Sequence, residues 1–305
     1  MLQIDKSKMN NYFLQLYCDQ VKYATEGYAV DLHAILNVFQ NITPDNVDDL
    51  VKAFYSCYQR SILTLLKQNT AGKQDQLLSN FLQSRYQLWA RLIKKTIKGL
   101  GTDERVLTEL IMLATEEDLN CIQETYQQIF DIEMLDDISA DFGKSTLLKL
   151  LKGWVYSTRY ERKNFLQDAE ALSVVLKDKK PDEQTVVRLL TTTTRAEFVE
   201  INKSFKILTG KNILEALHGR MGKSQYAVDL AFHTLHGIDS GIAFVLSQDA
   251  KGKKSSLLWL VPLLRDRFTA SIQTQFKVLT GRTLLQDLQK DFGDLGDQMY
   301  VFFKE

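Results

Sequence analysis

Two segments of the chain, "FKILTGKNILEAL" at Phe205–Leu217 and "FKVLTGRTLLQDL" at Phe276–Leu288, align without a gap at a separation of 71 residues. A repeat of this period means one supersecondary unit reused, and each copy buries its apolar face only by stacking on another. Weaker copies stand in register at "FYSCYQRSILTLL", Phe54–Leu66, and "YQQIFDIEMLDDI", Tyr126–Ile138. Each is followed by a glycine and a charged residue: Gly72-Lys73, Gly143-Lys144, Gly222-Lys223 and Gly293-Asp294, spaced by 71, 79 and 71 residues. Four units therefore fill the chain: residues 9–82, 83–155, 163–236 and 237–305, with a short tail at 1–8 and a linker at 156–162.

The units read as helical. There are only three prolines, and in "ERVLTELIMLA" the residues Val106, Leu107, Leu110, Ile111 and Ala114 form a stripe of helical period. Start signals recur where Thr43 precedes Pro44, Thr115 precedes Glu116, and Pro181 precedes Asp182 and Glu183. No stretch alternates as a strand. The expectation is an all-α protein with five short helices per unit.

Composition narrows the function. Lys plus Arg and Asp plus Glu both number 38, so no global field favours nucleic acid, and any charged partner is met locally. Cys18, Cys57 and Cys121 lack the pairing and spacing of a disulfide framework or a zinc site, which suits a reducing compartment. No secretory core and no run of about eighteen apolar residues occurs, so a membrane would be approached from outside. Enzyme signals are poor. "FGKST" and "MGKS" lack the leading glycine of a phosphate loop, which Ile138 and Leu217 replace. His33, His218, His233 and His236 make no HExxH. The chain reads as a non-enzyme.

One heptapeptide carries chemistry. In "KGLGTDE", Lys98–Glu104, a helix ending near Ile97 exposes its last carbonyls, and two glycines let several of them point to one spot. Backbone oxygens are what a hard cation takes, with a carboxylate to balance charge. The same residues also suit an ordinary helical hairpin capped by Thr102. In the first unit, "NTAGKQD" makes an oxygen-rich turn, a minor cation candidate formed by Asn69, Thr70, Gly72 and Asp75, or a solvated turn capped by Gly72.

"KGLGTDERVLTELI" with "MLDDISADFG" downstream, inside a chain of four such units, resembles the annexin repeat, and the degree of divergence resembles the alpha-giardins within that superfamily. The resemblance implies a curved disc of four five-helix repeats whose calcium loops bind acidic phospholipid. It implies a main Ca2+ site from the carbonyls of Ile97, Gly99 and Gly101 and the carboxylate of Asp141, with Glu104 at a minor neighbouring site. The other loops depart from the pattern. The first has Asn69 in the acid's place, the third has Arg220, and the fourth keeps Asp291 but has Asp249 and Lys251 where glycines belong, a further minor candidate. Lys177, Lys179 and Lys180, and Lys251, Lys253 and Lys254, are expected on the membrane-facing side as basic loops, or as solvated lysines. Annexins line a central channel with arginines and acids, whereas Ile42, Ala114, Thr193, Leu264, Trp89 and Leu92 stand at those positions here and predict a dry centre. Two functions follow: calcium-dependent peripheral binding to acidic membranes, or a scaffold for cytoskeletal proteins that needs calcium weakly or not at all. Both are cytoplasmic and peripheral; the sequence does not specify an oligomeric state.

Overall fold

A computed structural model describes residues 11–27, 29–98, 103–142, 145–161, 163–178, 181–249 and 256–303. The described chain is helical throughout, without strands. The first repeat holds α1 (Asn11–Thr25), α2 (Leu32–Gln40), α3 (Val47–Tyr58), α4 (Ile62–Asn69) and α5 (Gly72–Phe81). The second holds α6 (Arg85–Ile97), α7 (Glu104–Met112), α8 (Glu116–Phe130), α9 (Met134–Phe142) and α10 (Thr146–Tyr156). In the third are α11 (Phe165–Val175), α12 (Glu183–Thr192), α13 (Arg195–Thr209), α14 (Ile213–Leu217) and α15 (Gln225–His236). The fourth has α16 (Ile238–Asp249), α17 (Leu257–Leu264), α18 (Ala270–Thr280), α19 (Leu284–Phe292) and α20 (Asp294–Met299).

Local chemistry explains the register. All four third helices end in a left-handed residue: Gln59 (φ 52°), Asp131 (φ 53°), Gly210 (φ 76°) and Gly281 (φ 72°). Glycine takes that conformation without a Cβ clash, so the two "LTG" copies stop there at low cost while Gln59 and Asp131 hold it under strain. The next helix then starts from a reciprocal cap, Asn212 with Glu215 and Thr283 with Gln286. Thr115 does the same with Asp118 at the head of α8. Two expected caps shift by one residue. Asp182 caps α12, accepting from the amides of Gln184 and Thr185, and Pro181 lies before the cap. Asp103 caps α7, accepting from Val106 N at 3.2 Å, and Thr102 lies outside the described residues. A carboxylate reaches the second or third amide of the first turn, so the acid closest to the helix takes the place.

The chain divides into two compact units, Ala90–Ser247 and Met1–Trp89 with Gln248–Glu305. The first of these joins repeats two and three. There α7 packs on α15, and α10 lies between α7 and α12 over Leu107, Leu110, Leu150, Leu151 and Leu190. Gly153 on α10 permits that approach, because a Cβ there would meet the Thr191 side chain at 2.8 Å. The other unit joins repeats one and four, with α5 on α17, all eight of whose residues are buried. Its polar centre is a pair of arginines. Arg85 reaches Asp45, Asp266 and the carbonyl of Leu263, while Arg265 donates to the carbonyls of Phe39, Ile42 and Pro262. Ile42, Ala114, Thr193, Leu264 and Trp89 are buried and Leu92 half-buried, so Arg265, one residue beyond Leu264, is the polar group that the apolar reading did not anticipate.

Candidate metal centre

The second-repeat bend is built from the ends of two helices. The amide of Asp103 donates to the carbonyl of Thr96 at 3.0 Å, so the chain leaves α6 and returns onto its last turn within a few residues. Gly99 and Gly101 lie outside the described residues. Across from α6, Asp137 on α9 receives the Lys94 ammonium and the Tyr126 hydroxyl, the latter at 2.5 Å. Burial works against the charged Asp137, but these two bonds and the charge of Lys98 outweigh it and hold the carboxyl below its ordinary range. The Tyr126 hydroxyl is pushed up by burial and by that same acid.

The ion pair therefore clamps α6 to α9. One turn further along lie Ile97 on α6 and Asp141 on α9, four residues beyond Asp137 and on its face. Asp141 is exposed and lines, with Glu104, a cleft of about 650 Å3 whose other walls include Thr146, Glu183 and Lys223. Among the described residues no cluster of three or more His, Cys, Asp or Glu can hold a metal ion. A cation here must draw on backbone carbonyls, and an oxygen donor set of this kind fits calcium and not zinc. Sequence reading missed Lys94, Asp137 and Tyr126, which position the bend, and Lys223, which brings a positive charge to the cleft.

The third repeat places an arginine at the equivalent register. Moving Ile97, Gly99 and Asp141 along by the 79-residue spacing gives Leu176, Asp178 and Arg220. Arg220 Nη1 donates to the carbonyls of Leu176 at 3.0 Å and Ala216 at 2.8 Å, and Nη2 to the carbonyl of Asp178. The sequence places a charge there that would repel a cation. In the structure that charge is itself bound by the carbonyls.

Known proteins share the fold. The annexin family model matches residues 89–148. Human annexin A8 is 22 % identical over 282 residues, covering 88 % of this chain and 85 % of its own. Dog annexin A13 is 29 % identical over 132 residues, 42 % of each chain. Calcium-bound alpha-14 giardin superposes with a TM-score of 0.87 at 18 % identity, over 96 % of this chain and 100 % of the giardin. Calcium-bound alpha-1 giardin gives 0.83 at 18 % identity, over 95 % and 98 %. The chain resembles the annexins over most of its length. Its fold is the all-α annexin fold. As a family, annexins are binding proteins, generally non-enzymatic, that associate with acidic phospholipid in a calcium-dependent way.

In the remaining loops of this annexin-like chain several candidate residues are tied into the protein. The buried Asp249 carboxylate accepts from the Ser256 amide at 2.7 Å and its hydroxyl at 3.2 Å, bracing the head of α17. Asp291 is exposed at the end of α19, and its carbonyl accepts from Lys73 Nζ at 3.1 Å, an ammonium that also lies 4.2 Å from the Phe292 ring. Asn69 and Thr70 turn back to the carbonyls of Leu65 and Leu66. Gly72 opens α5 at φ 60°, and Asp75 in its first turn receives Ser79 Oγ at 3.4 Å. Lys177 is exposed, while Lys179, Lys180, Lys251, Lys253 and Lys254 lie outside the described residues.

Proposed function

We propose that this annexin-like protein binds acidic phospholipid surfaces peripherally, through a single calcium-dependent bend in the second repeat. The observation that carries this reading is the Lys94–Asp137 clamp, which sets the end of α6 beside the end of α9 with Glu104 and Asp141 on one cleft. In the proposal the carbonyls of Ile97, Gly99 and Gly101 and the carboxylate of Asp141 hold the ion, with Glu104 beside it. Bound there, calcium supplies a positive charge that a lipid phosphate can share. Aspartate is one methylene shorter than the glutamate of the usual pattern, and Lys223 opposes a second charge, so the affinity is expected to be low. No helix among the described residues is long and apolar enough to cross a membrane, which is compatible with contact from one side.

Calorimetric titration with calcium tests the reading. Wild type is expected to take up calcium at this site and to sediment with phosphatidylserine vesicles in calcium but less in chelator. Asp141→Ala is expected to lose both. Equal calcium uptake by the two proteins overturns the site assignment. A second reading, a scaffold for cytoskeletal partners, is favoured by repeats three and four, where Arg220 takes the carbonyl of Leu176 and Asp249 turns to Ser256. Calcium-loaded protein that ignores acidic vesicles yet co-sediments with filaments would select it.

A further inference from the structure

The third-repeat bend binds a cation, and the cation is part of the chain. Three carbonyls converge on Arg220: Leu176 and Asp178 from the end of α11, and Ala216 from the end of α14. Helix C-termini carry unpaired carbonyls and a partial negative charge, so both ends favour a positive group. A guanidinium satisfies them well, since its planar fork of donors spans acceptors from two segments and its charge strengthens each bond. The Arg220 backbone is also held, its amide donating to Leu217 O at 3.0 Å and to Gln225 Oε1 at 3.1 Å. The side chain is half-buried, which fixes its aim.

We propose that Arg220 is a resident substitute for calcium: its guanidinium stands where the ion would stand and locks the α11–α12 bend without metal. Of the three residues that would coordinate by their carbonyls at this repeat it engages Leu176 and Asp178, the third, Lys180, lying outside the described residues, and the position that would supply the balancing carboxylate is the one from which it comes. The carbonyls of Leu176, Asp178 and Ala216 are thus met by a positive group at every calcium concentration. One molecule then carries a metal-gated bend in repeat two and a permanently set one in repeat three, with Lys177 held at its exposed edge. The inference rests on the repeat register used for the proposed function, and not on any calcium affinity of Asp141.

Amide hydrogen exchange of the 172–178 segment, followed by mass spectrometry on the full-length protein without vesicles, tests it. In wild type the exchange rate is expected to be the same in calcium and in chelator. Arg220→Gln is expected to speed it at least about tenfold in both conditions, because carbonyls without a cation release the segment. Arg220→Glu is expected to be fast in chelator, slow in calcium, and to take up one more calcium ion per chain than wild type. Should Arg220→Gln melt far below wild type, Arg220→Lys carries the test: a single ammonium cannot span the fork, and exchange about threefold faster or more is expected. Wild-type exchange that slows in calcium overturns the proposal. So does exchange within twofold of wild type in Arg220→Gln, or in Arg220→Lys where the glutamine variant does not fold. Failure of the Asp141 site leaves these readings unchanged, because they are taken at the other repeat.

Discussion

Repeats two and three put opposite charges at the same register position. In repeat two it is a carboxylate, the exposed Asp141 at the end of α9; in repeat three it is an arginine, Arg220, which donates to the carbonyls of Leu176 and Asp178. Helix-end carbonyls call for a positive group, and in repeat three a guanidinium meets them. Under the proposed function a calcium ion takes that part in repeat two.

The largest effect is expected from carrying the third-repeat solution into the second. Asp141→Arg should weaken calcium binding roughly a hundredfold or more, since it removes the carboxylate and adds a like charge. Calorimetry reads this directly, and retention of wild-type affinity would break the comparison. Next comes the link between the two repeats. Tyr226 of α15 donates its hydroxyl to Glu109 of α7, which is wholly buried. Tyr226→Phe should cost about 2–3 kcal/mol in urea unfolding, the range for a hydrogen bond to a buried charge. A loss near zero would mean that this hydrogen bond does not couple the repeats.

Acid separates the repeats further. His233 of repeat three, stacked on Phe244 at 4.7 Å, is held neutral by burial, and its pKa falls from 6.5 to about 4. The unfolded chain then binds the proton first, so its contribution is intact above pH 6.5 and is lost as pH falls from there towards 4. From pH 7 to pH 5 the loss should be about 2 kcal/mol, and it should be absent in His233→Gln under the same urea titration. Asp137 of repeat two behaves differently. Its folded pKa lies below the ordinary 3.8, so its contribution persists through this window and is lost only as pH falls from 3.8 towards the folded value. A pH profile of the glutamine variant that matches wild type would remove this distinction. The smallest effect concerns the left-handed stops, glycine in repeat three and aspartate in repeat two. Asp131→Gly, at φ 53°, should raise stability by about 1 kcal/mol, read as a higher melting temperature.

Much of the architecture was legible along the chain because its determinants are local. The 71-residue spacing, the apolar stripe of α7, the cap at Thr115 and the terminal glycines at 210 and 281 each act over a few residues or by simple repetition. The all-helical fold follows from them. The candidate site was legible only as a list of oxygens in register. Asp249 illustrates the gap: its spacing marks it as a loop oxygen, yet its buried carboxylate turns to the amide of Ser256, because a buried amide must find a partner.

What the sequence by itself determined is the helical repeat and the places where the backbone bends. Only the tertiary structure decided which charge meets each bend, and which repeats share a compact unit, one with four and two with three. Lys94 finds Asp137 across 43 residues and Arg220 finds Asp178 across 42. Such contacts exist only once helices distant in the chain have packed, since a charge on an unfolded chain is met by water and gains a fixed partner only when burial takes that water away.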